Sequence, residues 1–173
     1  MENKNNKLDI LFNKMKKLSK NSDDYFIQSV VDGTVIELSN EFYKPASDDD
    51  IKILKNLDFP TEYIDLFTYS NGFKLFHAKY DGLYIGCKLS FYSISEMLFE
   101  KKFNDESGFF PNYEFTYPVA TLQDTATLYI NTEKFNNNQY ILIVDVEGEN
   151  YYYNGTIIDW LNLYTFSFGE IYK

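Results

Sequence analysis

Arginine is absent from the 173 residues of this chain, which contain one cysteine, Cys87, and one histidine, His77. Arginine is the side chain that binds guanine and phosphate through paired hydrogen bonds, so its absence counts against nucleic-acid recognition. One cysteine allows no internal disulfide and gives no sign of an oxidising compartment. The usual zinc sites need more cysteine or histidine ligands than the chain has. We therefore predict no nucleic-acid partner, no metal and no cofactor.

Long apolar runs are also missing. No stretch approaches the length of a membrane span, and the first residues lack the apolar core and cleavage site of a signal peptide. These absences favour a cytoplasmic protein without a membrane partner.

Catalytic motifs are equally scarce. The sequence has no glycine-rich phosphate loop and no Gly-x-Ser-x-Gly elbow. A nucleophilic pair of His77 and Cys87 would need hydrogen-bond contact and a third, orienting group. We interpret the two instead as a strand histidine and a small buried thiol. Any pair among 26 acidic residues arises by chance, so paired carboxylates are no evidence of a glycosidase. The sequence predicts a protein that is not an enzyme.

The chain is rich in aromatic residues and in negative charge. It contains 16 phenylalanines and 16 tyrosines, most of them at spacings typical of a core and not of a sugar-stacking or base-stacking surface. The net charge is −10. Residues 1–20 contain six lysines and two acids, a charge of +4, so the remainder carries −14. Such a body repels phosphate backbones and anionic lipid and attracts cationic proteins. The predicted partner is a basic protein.

Residues 4–20 have the periodicity of an amphipathic helix with lysines near its end. We interpret it as docked on the domain, in preference to a membrane-surface or calmodulin-type helix. Asp32-Gly33 then separates two strand-like runs, 25–31 and 34–38, and predicts a hairpin. In the predicted helix over residues 4–20, the apolar positions are Leu8, Leu11, Phe12, Met15 and Leu18.

Ser47 and the three acids that follow it are typical of a helix start, where a serine caps the backbone and acids face the positive end of the helix dipole. A divalent-metal site is the alternative interpretation of Asp48, Asp49 and Asp50. We favour the helix start, because adjacent residues on a helix point in different directions.

The clearest helix signal runs from Phe59 to Phe73, with Pro60 in its first turn, Asn71-Gly72 at its exit and about three turns between. Ser93 and Glu96 form a capping box that opens another helix, and Thr156 caps the last one. Residues 104–112 are predicted as the longest loop, with turns at Gly86 and 136–138. The predicted strands are 73–77, 83–85, 89–92, 118–122, 127–131, 140–146 and 151–153.

Some of these motifs resemble the SUKH superfamily, which groups bacterial toxin-immunity proteins with yeast cell-wall-synthesis regulators. The resemblance covers roughly residues 45–165. The motifs that carry it are Pro45-Ala46-Ser47, Pro60-Thr61-Glu62-Tyr63, Leu66-Phe67, Asn71-Gly72, a Ser-x-x-Glu helix at 89–99, Pro118-Val119-Ala120 and Trp160-Leu161.

The resemblance implies an α+β fold with a single mixed or antiparallel sheet of about six strands and packed helices. This domain would span residues 45–173, with residues 1–44 as a helix and hairpin extension packed on it. The implied function is a non-enzymatic immunity protein that binds and neutralises a cognate bacterial toxin. A cytoplasmic regulatory scaffold related to cell-wall-synthesis regulators is the alternative.

Many such toxins are nucleases and therefore basic, so carboxylates are the natural contact residues. Three acidic clusters are the predicted partner-binding sites, while the oligomeric state stays open. The clusters are Asp48, Asp49 and Asp50; Asp105 and Glu106 in the long loop; and Asp145, Glu147 and Glu149.

Overall fold

The computed structural model describes residues 4–17, 26–29, 35–107, 114–123, 126–135, 139–145, 147–167 and 169. These residues form five helices and eight strands. The helices are α1 (Lys4–Lys17), α2 (Asp48–Asn56), α3 (Thr61–Phe67), α4 (Ile94–Ser107) and α5 (Ile157–Phe166). The strands are β1 (Phe26–Ser29), β2 (Val35–Phe42), β3 (Phe73–Tyr80), β4 (Leu83–Phe91), β5 (Thr116–Leu122), β6 (Ala126–Asn131), β7 (Ile141–Asp145) and β8 (Asn150–Tyr153).

All eight strands form one sheet in which each strand pairs with its neighbours in sequence, from β1 to β8. Every pairing is antiparallel. The predicted α+β class with a single sheet is confirmed. The expected number of about six strands was too low, because β1 and β2 pair onto β3 and extend the same sheet.

This strand order gives the molecule two different ends. Because neighbouring strands run in opposite directions, the β3–β4, β5–β6 and β7–β8 connections lie at one end of the sheet, which we call the turn end. The connections that contain α2, α3 and α4, and the chain that leads into α5, lie at the opposite end, the helix end. Partner-binding residues can therefore be assigned to one end or the other.

The core is built around the aromatic side chains of α3 and the sheet. Tyr63, Leu66, Phe67 and Ser70, which recur at helical spacing, are all buried. The helix itself is shorter than predicted, because Pro60 is its N-cap and Thr68 its C-cap. Nearby, the Phe91 ring stacks on the Phe73 ring with 4.6 Å between centroids. Trp160 of α5 is also buried.

Several other predicted boundaries were wrong. Gly86 is not a turn: it lies inside β4 at φ 138°, beside a register shift in the β3–β4 pairing. A glycine in this conformation forms a bulge without ending the strand. Strand β2 continues to Phe42, beyond the predicted strand over 34–38. The hairpin predicted around Asp32-Gly33 is confirmed by the β1–β2 pairing, although those two residues and 136–138 lie outside the described residues.

Helix α1 packs against the rest of the chain through its predicted apolar side. Leu8, Leu11, Phe12 and Met15 are buried, while Leu18 lies outside the described residues. The Phe12 ring stacks on the ring of Tyr69, just after α3, at 4.7 Å. The Tyr69 hydroxyl donates a hydrogen bond of 2.6 Å to Asp9 Oδ1.

The pKa of Tyr69 provides a test of this docking. The hydrogen bond to Asp9 is the main cause that raises the pKa from 10.0 to about 12, followed by burial and by the charges of Asp9 and Asp65. Because the folded protein favours the protonated phenol, this contribution to stability is complete below pH 10 and is lost as pH rises through 12. We expect Asp9→Asn to return the pKa towards 10 and Asp65→Asn to lower it less. Residue-resolved NMR titration of ¹³C-labelled tyrosine measures both, and an unchanged pKa in Asp9→Asn would contradict the contact.

Candidate partner-binding surfaces

The first acidic cluster lies at the start of α2, as predicted. Ser47 caps the helix, since its Oγ accepts from the Asp50 amide and donates to the Asp50 carboxylate at 2.7 Å. Asp49 pairs with Lys52 at 2.7 Å and remains 89% exposed. Asp50 therefore completes the cap, whereas Asp48 and Asp49 face solvent. The helix-start interpretation is confirmed. Among the residues that the structure describes, no group of acids, cysteines or histidines is arranged to hold a metal ion.

The second cluster is not in a loop. Asp105 and Glu106 lie in the last turn of α4, which continues to Ser107. The predicted loop, 104–112, began too early, because the glycine and proline that indicated it, Gly108 and Pro111, come after the last turn of the helix. Residues 108–112 lie outside the described residues. Here Lys101 pairs with Asp105 at 2.7 Å and Lys102 with Glu106 at 3.7 Å, one turn apart, and these pairs support the helix. Their charges are locally balanced by lysines, as the charge of Asp49 is by Lys52.

The third cluster lies in and beside the β7–β8 turn. Glu147 and Glu149 are exposed on either side of Gly148, and the Tyr151 hydroxyl donates to Glu149. Asp145 ends β7 opposite Ala126. This turn belongs to the turn end of the sheet, whereas α2 and α4 follow β2 and β4 at the helix end. The eight carboxylates therefore do not form one surface.

An open cavity of about 680 Å³ lies at the helix end, between the α2–α3 connection and the chain that follows β6. Three phenylalanines contribute aromatic surface to it and three charged side chains contribute polar surface. These are Phe59, Phe115 and Phe135, and Lys55, Asp58 and Glu133. A cleft of this size with aromatic walls can accept an anchoring side chain of a partner protein. Sequence reasoning missed it because its walls come from segments more than 50 residues apart.

The cavity is close to the end of α4. The Phe59 ring packs on the Tyr117 ring at 4.9 Å, and Lys101 Nζ lies 5.7 Å from the Tyr117 ring centroid. Burial raises the pKa of Tyr117, and the nearby Asp105 carboxylate raises it further. The aromatic cavity and the second acidic cluster are thus neighbours at the helix end.

His77 and Cys87 face each other across β3 and β4. Glu41 Oε2 lies 3.5 Å from His77 Nδ1, and the imidazole stacks on Tyr84 at 4.1 Å. The histidine side chain is 12% exposed, and the thiol is half-buried, not fully buried as we expected. None of these four residues lines the cavity. We interpret the His77–Glu41 pair as a contact that fixes neighbouring strands.

The motifs that carry the resemblance have structural roles. Asn71 Oδ1 accepts a hydrogen bond from the Ile94 amide at 3.0 Å, so a residue of the α3–β3 connection caps the start of α4. The Asn71 amide donates to the Lys44 carbonyl at 2.8 Å. Tyr63 is fully buried, and its hydroxyl lies 3.6 Å from the Met97 sulfur. These residues join α3, β3 and α4 and do not form a surface for a partner.

Comparison with known proteins gives no relative: no protein family, no curated protein and no solved structure matches the chain. Within the described ranges, none of the helices has the length and apolar character needed to cross a membrane.

Proposed function

We propose that this chain is a non-enzymatic immunity protein of the SUKH type, which binds a cognate bacterial toxin and neutralises it. The observation that carries the proposal is the composition of the helix end. There, the exposed Asp48 and Asp49 and an aromatic cavity are available on the same end of a strongly acidic molecule. Acidic rims around apolar anchor sites are the arrangement expected for recognition of a basic protein.

The negative charge and the aromatic cavity are proposed to act at different stages of toxin binding. A net charge of −10 accelerates the approach of a basic toxin, because opposite charges attract. The acceleration is largest at low ionic strength, since salt shortens the range of the attraction to about 8 Å at physiological concentration. Once docked, an aromatic or aliphatic side chain of the toxin in the cavity slows dissociation. If the toxin is a nuclease, the carboxylates also repel its phosphate substrate.

Affinity capture of the tagged protein from its native cells, followed by mass spectrometry, tests the proposal. We expect one basic polypeptide that is toxic when expressed alone and harmless when co-expressed with this chain. Several housekeeping partners in place of one toxin would favour the regulatory scaffold. A His77→Ala, Cys87→Ala double variant should protect cells as well as the unchanged chain, and loss of protection in a folded variant would contradict the non-enzymatic role.

Charge removal at the two ends of the sheet locates the interface. Asp48→Asn with Asp49→Asn removes two charges at the helix end, and Glu147→Gln with Glu149→Gln removes two at the turn end. We expect the first pair to slow association with the captured toxin about tenfold at low salt and the second to change it less than twofold. Stopped-flow fluorescence measures both rates, with circular dichroism as a check on folding. Equal effects would show that only total charge matters and would remove the helix end as the site.

A further inference from the structure

The aromatic cavity at the helix end has charged side chains in its wall. Asp58 and Glu133 both line it and are both exposed. In the part of the chain that the structure describes, neither carboxylate forms an ion pair, and Lys55, which also lines the cavity, pairs with neither of them. The described wall thus carries two carboxylates against one ammonium. The cavity therefore attracts a cation.

Asp58 occupies a position where the backbone favours a different residue. Just past α2, the Asp58 amide donates to the Lys55 carbonyl and the Phe59 amide to the Leu54 carbonyl, each at 3.2 Å, which is the Schellman motif. Asp58 takes the left-handed position of this motif, with φ 54°, where glycine is usual. Its carboxylate also lies at the negative end of the helix dipole. A residue that two local rules disfavour is expected where it has a function.

The second wall of the cavity, which contains Glu133, is ordered by hydrogen bonds within the protein. The Thr132 amide donates to the Phe115 carbonyl at 2.8 Å, and the Glu133 amide donates to Asn131 Oδ1 at 3.1 Å. These bonds hold the chain that follows β6 against the residue that precedes β5. In this wall Phe115 is 39% exposed and Phe135 36% exposed. A ligand that packs on these rings therefore orders little additional backbone.

These groups favour an arginine over a purely apolar anchor. A leucine or phenylalanine in the cavity would take water from the two carboxylates without replacing its hydrogen bonds, which costs free energy. An arginine has an apolar stem for the phenylalanine rings, and its planar guanidinium stacks on aromatic faces and donates to carboxylates. The ammonium of lysine is more strongly hydrated and is not planar. The chain has no arginine of its own, so neither this chain nor a second copy of it can supply the side chain.

We propose that the cavity binds an arginine side chain of the basic toxin, with the guanidinium between Asp58 and Glu133 and the stem against Phe115 and Phe135. The inference rests on the proposed function for the identity of the partner, and on the cavity for the choice of side chain. The acidic surface brings the toxin close, and this one arginine fixes how the toxin is oriented when it docks.

NMR titration with single amino-acid probes tests the side-chain preference. The probes are N-acetyl-arginine methylamide, its citrulline analogue, which keeps the shape of arginine without the charge, and its lysine analogue. Spectra of the ¹⁵N-labelled chain record binding at constant ionic strength. We expect the amides of Asp58, Phe59 and Glu133 to shift. The Kd of the arginine probe should be about fivefold lower than that of citrulline and about threefold lower than that of lysine.

Two pairs of substitutions separate the cavity from the total charge. Asp58→Asn with Glu133→Gln keeps the size of both side chains, and asparagine also tolerates the left-handed backbone. We expect this variant to bind the arginine and citrulline probes within about twofold of each other. Glu147→Gln with Glu149→Gln removes the same charge at the turn end and should keep the preference for arginine. The amide spectrum of each variant verifies that it is folded.

The opposite results would overturn the inference. Equal binding of arginine and citrulline, or shifts confined to residues outside the cavity, would remove the cation site, and tighter binding of lysine would reject arginine. Loss of the preference in both variants would show that only total charge matters.

The captured toxin separates this inference from the proposed function. A toxin that binds Asp58→Asn with Glu133→Gln as tightly as the unchanged chain would overturn the inference and leave the proposed function standing. A preference for the arginine probe without any captured toxin would contradict the proposed function and leave the side-chain preference standing.

Discussion

Gly72→Ala is expected to lower the free energy of unfolding by about 3 kcal/mol. This figure adds the cost of a left-handed backbone conformation in alanine to the cost of a steric clash. Gly72 has φ 95°, a conformation that only glycine adopts easily. An added Cβ would lie 2.7 Å from the Ser93 amide nitrogen and 3.0 Å from the Phe91 carbonyl oxygen. Both are backbone atoms at the joint between β4 and α4. The Ser93 amide donates to the Glu96 carboxylate in the cap of α4, and Phe91 is paired on both sides in the sheet, so neither atom can move aside freely.

Gly82→Ala is the matched control. Gly82 also has a positive φ, 80°, but an added Cβ there would meet nothing within 4 Å. We expect this substitution to cost only about 1 kcal/mol, from the backbone alone. Urea unfolding followed by circular dichroism compares the two variants. Equal losses would show that the close approach at Gly72 relaxes, and would contradict its tight packing against the joint between β4 and α4.

Asn40→Ala is the second large effect that we expect, with a loss of about 3 kcal/mol. Asn40 is fully buried in β2. Its Nδ2 donates to the Met15 carbonyl at 2.7 Å, and its Oδ1 accepts from the Phe76 amide at 2.8 Å. The substitution removes the side chain that bonds two buried backbone groups, at about 1–3 kcal/mol each, and partial access of water to them reduces the sum.

Hydrogen exchange separates this mechanism from a simple packing defect. In Asn40→Ala the Phe76 amide should lose protection by a larger factor than the other amides of β3. Asn56→Ala, at the exposed end of α2, is the control and should change stability by less than about 0.5 kcal/mol. Uniform loss of protection along β3 would contradict the specific bond between the Asn40 side chain and the Phe76 amide.

Features that depend on a few neighbouring residues could be predicted from the sequence. The Ser47 cap and the Ser93–Glu96 capping box are local, and each follows from backbone chemistry. The helix exit predicted at Gly72 was wrong, because α3 already ends at Phe67. Phe76 could not be predicted. It has φ 53° because the Asn40 side chain, 36 residues away, replaces a ladder hydrogen bond where β2 and β3 shift register. No short-range pattern contains that information.

For the candidate sites, too, local features could be predicted from the sequence and long-range features could not. Composition and spacing identified acidic clusters but could not show that α4 includes Asp105 and Glu106, because the glycine and proline that predict the loop do not define where it begins. The separation of the clusters into two ends depends on strand order. The cavity depends on the tertiary packing of segments that are far apart in sequence.

The strand order also determines when each part of the chain can fold. Every strand pairs with its predecessor, so each hairpin can form soon after it leaves the ribosome, with little loop-closure entropy to overcome. Helix α1 forms its contacts in two stages. Its Phe12 ring can pack on Tyr69 once α3 has emerged, whereas its contact with α5, where Lys7 lies 3.9 Å from Asp159, comes about 150 residues later. The α1–α5 contact therefore closes the structure late, after the hairpins of the sheet can already have formed.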